Sequence, residues 1–159
     1  MEPTFIDFEA SSLSLIESYP IEVGLCPPDG KPVGWLIKPH ILWYDWSEKS
    51  EQVHQITRQL LNEEGTHLKH VASALNEKID GIVYCDAWTF DLFWLHRLFK
   101  AAKLQPAFRL ESIANLLTED QVVLWQSARK SVIREFDINT HRAANDAWIL
   151  HLTWKAIQN

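Results

Sequence analysis

Three β-rich runs lie within the first 37 residues, and beyond them helical stripes alternate with short apolar runs, an order few folds accept. Thr4-Phe5-Ile6-Asp7-Phe8 alternates and reads as a strand ending at Glu9. Residues 21–26 and 33–37 read as two more, and Pro27-Pro28-Asp29-Gly30-Lys31 between them supplies turn chemistry, so a hairpin is expected. Ser47 is placed to cap a short helix. Residues 66–79 carry Leu68, Val71, Ala72, Leu75 and Ile79 at helical spacing. Asp80-Gly81 breaks that stripe, and Ile82-Val83-Tyr84-Cys85 has the character of a buried strand. Helical spacing returns over 89–102 through Phe90, Phe93, Trp94 and Leu98. A fifth strand is expected at 108–110, then helices at 112–117, 118–133 and 142–157, the last capped by Asn139 or Thr140. Hairpin-joined strands followed by alternating helix and strand predict an α/β fold, a mixed sheet with helices on its faces.

A chain of 159 residues without a linker, repeat or low-complexity segment reads as one domain, 1–159. No run nears the ~20 apolar residues of a membrane-spanning helix, and Met1-Glu2-Pro3-Thr4 lacks a secretory signal's basic and apolar regions. No membrane partner is expected. Cys26 and Cys85 are too few for a disulfide framework and read as buried thiols in a reducing cytoplasm. The net charge of −6 disfavours a partner held by bulk electrostatics. Its distribution is uneven: residues 1–95 carry six Lys or Arg against fifteen Asp or Glu, whereas residues 96–142 carry eight against five. A phosphate-binding face therefore fits the second half better, a solvated helix surface being the plain alternative.

Asp7 and Glu9 flank Phe8 at a strand end, so both carboxylates point to one side of the sheet. Held so close, they need either a proton or a cation between them, and oxygen donors suit hard ions such as Mg²⁺ or Mn²⁺. The pattern alone is weak, since chance supplies roughly 0.7 copies in such a composition. Asp91 adds a third carboxylate, early in the helix that follows the 82–85 strand, where α/β sheets gather their sites. His141 precedes the last helix and Asp146 lies in its first turns. Five helical residues rotate by ~500°, so the pair sits about 140° apart, and only a loop-borne His141 reaches a site that Asp146 ligates.

Residues 5–9, Tyr84 through Asp91 and His141 through Asp146 resemble the three motifs of the DEDDh 3′→5′ exonucleases, which include polymerase proofreading subunits, oligoribonuclease and ribonuclease T. Val53-His54-Gln55-Ile56-Thr57 is similar to that family's His-Gly-Ile-Thr segment. The resemblance spans nearly the whole chain. It implies a ribonuclease H-like five-stranded mixed sheet whose first three strands are antiparallel. By the same resemblance Asp7, Glu9, Asp91 and Asp146 hold two divalent cations, Mg²⁺ or Mn²⁺, and Asp7 bridges them. His141 is then the general base, imidazole being the side chain that titrates near neutrality. The implied partners are 3′ ends of single-stranded DNA or RNA, and the implied products are nucleoside 5′-monophosphates.

Three positions depart from the family pattern. Gln55 stands where Gly is usual, Asp86 where Asn is usual, and Ala10-Ser11-Ser12 where many members carry Thr residues that touch the terminal sugar. They bear on substrate choice, and none removes a ligand or the base. The substrate-binding candidates are Ala10, Ser11, Ser12, His54 and Trp88; Trp88 would stack a base, core packing being its plainer role. Arg129, Lys130 and Arg134 would meet phosphates or simply be solvated. His40, His67, His70, His96 and His151 are scattered and read as surface or core. Two other readings stand beside the exonuclease: a catalytically idle nucleic-acid-binding module, and a two-metal endonuclease of the same fold. Oligomeric state is left open, a homodimer included.

Overall fold

The computed structural model describes residues 2–158. Its sheet holds β1 (Thr4–Ala10), β2 (Pro20–Cys26), β3 (Val33–Leu36), β4 (Ile82–Cys85) and β5 (Arg109–Ser112) in the order β3-β2-β1-β4-β5. The first three strands pair antiparallel, whereas β4 lies parallel to β1 and β5 parallel to β4. The expected mixed five-stranded sheet is therefore the one that forms. The β2–β3 hairpin closes as its turn residues require: Gly30 takes φ 75° and donates its N–H to the Pro27 carbonyl at 3.0 Å.

The helices are α1 (Glu48–His54), α2 (Arg58–Glu64), α3 (Leu68–Lys78), α4 (Trp88–Ala102), α5 (Glu119–Glu135) and α6 (Ala143–Ala156). Ser47 caps α1, accepting from the Ser50 N–H at 3.2 Å. Thr118 and Gln121 form a reciprocal capping box at the start of α5. Residues 58–64, for which the sequence pattern gives no element, form α2, capped by the Thr57 hydroxyl. One expectation is corrected. The helix expected at 112–117 is only a 3-10 turn over Ile113–Asn115. No described helix is long and apolar enough to cross a membrane.

Alternation along β1 divides its side chains between two layers. Ile6, Phe8 and Ala10 face a core shared with Val71 and Leu75 of α3 and with Trp94 and Leu98 of α4. Phe5 faces the other way, toward Trp125 of α5 and Leu150 of α6. Asp7 and Glu9 share the Phe5 face and so emerge beneath the start of α6. That helix comes unusually near the sheet at Gly24, the residue paired with Asp7. A Cβ built on Gly24 would lie 2.1 Å from the Ala143 carbonyl carbon, so only glycine admits this approach.

Candidate active site

The carboxyl ends of the parallel strands β1 and β4 open into a cavity of about 760 Å³. Asp7 and Glu9 reach it from β1, Asp91 from the first turn of α4, Asp146 from the first turn of α6, and His141 from the loop before α6. Carboxylate oxygens of Asp7, Glu9 and Asp146 lie within 4.8 Å of one another. The five residues expected to carry the chemistry are thus brought together. Asp91 is 2% exposed, and its Oδ2 and that of Asp7 are buried without a hydrogen-bond partner.

That crowding shows in the proton affinities. Burial, then the charges of Asp91, Asp146, Glu9 and Asp86, hold the Asp7 carboxyl well above the usual carboxylate range. Burial and the neighbouring Asp146 push Glu9 up to about 8. Asp91 is raised by burial and by Asp86, against hydrogen bonds from the Cys85 thiol and the Ala87 N–H. Asp146 is raised less freely, because the His141 N–H donates to both its oxygens, at 3.1 and 3.2 Å. Orphaned buried oxygens, mutually repelling carboxylates and an all-oxygen donor set at Asp7, Glu9 and Asp146, with Asp91 beside them, fit a hard divalent cation.

His141 takes φ 67°, a left-handed conformation uncommon outside glycine and held here by the Asp146 carboxylate. The contact also corrects the expected cap. The α6 N-cap position is Arg142, with no side-chain capping bond, and neither Asn139 nor Thr140 fills that role.

The remaining candidates divide. Ala10, Ser12 and His54 line the cavity. Burial holds the His54 imidazole below its usual range, and its Nδ1 accepts from the Ile56 N–H at 3.0 Å. Ser11 is fully buried behind the wall, where its hydroxyl donates to Asp45 at 2.7 Å. Trp88 does not line the cavity and is not in the core either: its indole N–H donates to the Leu110 carbonyl at 3.2 Å and its side chain is exposed. Gln55 ends α1 at φ 60°, which gives the glycine usual there a physical reason.

Several residues at the site escaped the sequence reading. Lys49, Ser50 and Val53 of α1 form one wall, Phe90 and Trp94 of α4 another, and Leu13 a third. Arg129 of α5, named in that reading, lines the cavity as well. Buried Glu22 of β2 organises the entry to α6, accepting from Arg142 Nη2 at 2.7 Å and from the Ala143 N–H at 2.8 Å. The partners lie 120 residues apart, so no local signal marks them.

Neither a protein-family model nor a curated protein matches the sequence. Solved structures do. Escherichia coli exonuclease I in complex with a dA16 oligonucleotide superposes with a TM-score of 0.71 at 13% identity, covering 99% of this chain and 42% of that one. Exonuclease I from Methylocaldum szegediense gives 0.69 at 16% identity, over 98% and 40%. A product-bound exonuclease I gives 0.71 at 11%, over 99% and 44%. The chain has the ribonuclease H-like fold of exonuclease I. It spans about two-fifths of the length of those exonuclease I chains.

Proposed function

We propose that this chain is a metal-dependent 3′→5′ exonuclease that hydrolyses single-stranded nucleic acid to nucleoside 5′-monophosphates. The observation that carries the reading is the convergence of Asp7, Glu9, Asp91 and Asp146 with His141 in one cavity. Two divalent cations, Mg²⁺ or Mn²⁺, would be held by the four carboxylates. Ions at such a site lower the pKa of water and stabilise charge on the phosphoryl oxygens.

The chain's own groups supply the rest. His141, at the exposed rim, accepts the proton of the water that attacks phosphorus, a role worth typically 10²–10⁴ in rate. The left-handed loop pinned by Asp146 holds His141 at the edge of the cavity. Lys49 of α1 and Arg129 of α5 offer cations to phosphate oxygens in a site otherwise dense with negative charge. Ser12, Leu13 and His54 form the wall against which the terminal nucleotide would rest. The P–O bond to the 3′ oxygen of the preceding nucleotide breaks, that oxygen takes a proton from solvent to become the new 3′ hydroxyl, and the phosphate stays on the 5′ oxygen of the released nucleotide. The free, buried thiols of Cys26 and Cys85 support a reducing, cytoplasmic setting.

The test is digestion of 5′-labelled single-stranded DNA and RNA with Mg²⁺ or Mn²⁺. A ladder shortening one nucleotide at a time, abolished by chelator and by Asp7→Ala, is expected. Cuts within a circular strand would move the assignment to an endonuclease, and full activity in excess chelator would end the metal-dependent reading.

A further inference from the structure

Two stretches of this acidic chain, residues 30–44 and 92–110, contain no carboxylate. At the density of 21 Asp and Glu in 159 residues, an even spread would place about four there. The fold brings the two stretches together. The loop after β3 packs against the second half of α4, and His40, Trp43, Phe93, Arg97, Lys100 and Lys103 line a cavity of about 610 Å³.

The Arg97 guanidinium lies 5.5 Å from the centroid of the Trp43 ring and 5.9 Å from that of Phe93. Its Nη1 donates to the Ile16 carbonyl at 3.2 Å. Trp43 is itself stacked on buried Tyr19, with centroids 5.2 Å apart and planes 20° from parallel. The aromatic platform is therefore held from behind. Lys100 and Lys103 are exposed, and among the described residues no carboxylate lies within ion-pair reach of them or of Arg97. Unpaired cations beside fixed rings are what a single strand binds: its phosphates meet the charge and its bases meet the π-faces.

The face adjoins the active-site cavity. Phe90 and Trp94 of α4 line that cavity, while Phe93 and Arg97 of the same helix line this one. Ile16, which Arg97 holds, belongs to the loop that brings Leu13 to the active-site wall. From Asp91 to Lys100 the helix advances ~14 Å, about four nucleotides at the ~3.4 Å rise of a stacked strand. We propose that this face is a second contact surface for single-stranded nucleic acid, holding the strand several nucleotides upstream of the 3′ end. The inference rests on the exonuclease reading of the neighbouring cavity, and a dinucleotide is too short to use it.

The experiment compares the parent with Lys100→Glu/Lys103→Glu on a dinucleotide and on a twelve-nucleotide oligothymidylate, both with Mn²⁺. Lys31→Glu/Lys78→Glu, equal in charge change and exposed elsewhere, is the control. The first variant is expected to raise KM for the long strand roughly tenfold and to lower the slope of log affinity against log salt by about 1.4. Turnover of the dinucleotide should stay unchanged. An unaltered KM for the long strand, or an equal effect in the control, would overturn the surface. If the parent cleaves neither substrate, the exonuclease reading fails separately, and fluorescence anisotropy with the labelled long strand decides: weaker binding by Lys100→Glu/Lys103→Glu upholds the surface, and equal binding overturns it. Capture of polyglutamate with no binding of the strand would overturn it in favour of an acidic protein partner.

Discussion

Glu9→Gln interrogates the acidic cluster without requiring turnover. Burial and Asp146 raise the Glu9 carboxyl from 4.5 to about 8, so in the metal-free protein the folded state holds that proton more tightly than the unfolded chain. The stability from this group is fully present below pH 4.5 and is lost as pH rises through about 8. At ~1.4 kcal/mol per pH decade the rise is worth about 5 kcal/mol for a group fully shielded from water. Glu9 is only partly buried, which leaves roughly 2–3 kcal/mol after screening. Glutamine keeps the shape and carries no charge. In excess chelator, Glu9→Gln should therefore match the parent near pH 4.5 and exceed its stability by that amount near pH 8.5. Urea unfolding followed by tryptophan fluorescence reads the difference. Comparing variant with parent at each pH also cancels His54 and His151, whose imidazoles burial holds below their usual range and which act in the opposite sense. Mn²⁺ at 1,000 times its Kd should reverse the order, because a ligand at that excess adds ~4.1 kcal/mol to the protein that binds it. A stability gap that fails to widen with pH would refute the repulsion argument. A gap that persists in Mn²⁺ would remove Glu9 from the metal ligands.

Three further substitutions test separate parts of the argument. His141→Ala should lower kcat by about 10²–10⁴ while leaving Mn²⁺ binding intact by calorimetry; near-normal turnover would reduce His141 to a loop residue tied to Asp146. Gly24→Ala drives a methyl group into the backbone of Ala143 and should cost about 1–3 kcal/mol in urea unfolding, with a larger loss of activity because Asp146 moves with α6. Gln55→Gly relieves a left-handed residue at the end of α1 and should stabilise the fold by roughly 1 kcal/mol in urea unfolding; an unchanged or lower stability would refute the strain argument.

The sheet was legible because period-two alternation and turn chemistry are local. The 82–85 strand matches to the residue, and the hairpin follows from Asp29-Gly30. The carboxylates were legible for the same reason: a strand end and the first turn of a helix fix where a side chain emerges, whatever the partners are. What failed was also local but ambiguous. Helix α2 has only Leu60 and Leu61 to mark it, too few for a stripe, although its Thr57 cap was present in the sequence. At 112–117 the Ser112 hydroxyl does cap, yet a single 3-10 turn satisfies it.

The parts of the site that were not legible depend on which faces meet, and that is decided by packing over long sequence separations. Glycine in the middle of a strand was the one available hint, because Gly24 weakens β2 unless another backbone needs its space. It is the backbone of α6 that needs it, and Glu22, two residues away on the same strand, then receives Arg142 and the Ala143 N–H. Strand β2 therefore sets the height of Asp146 above Asp7 and Glu9 through one absent side chain and one buried carboxylate. Neither of these two residues reaches into the cavity itself. Geometry at the carboxylate cluster is thus inherited from a strand that a motif-based reading of the site passes over, and substitutions along β2 should disturb the chemistry before they disturb the fold.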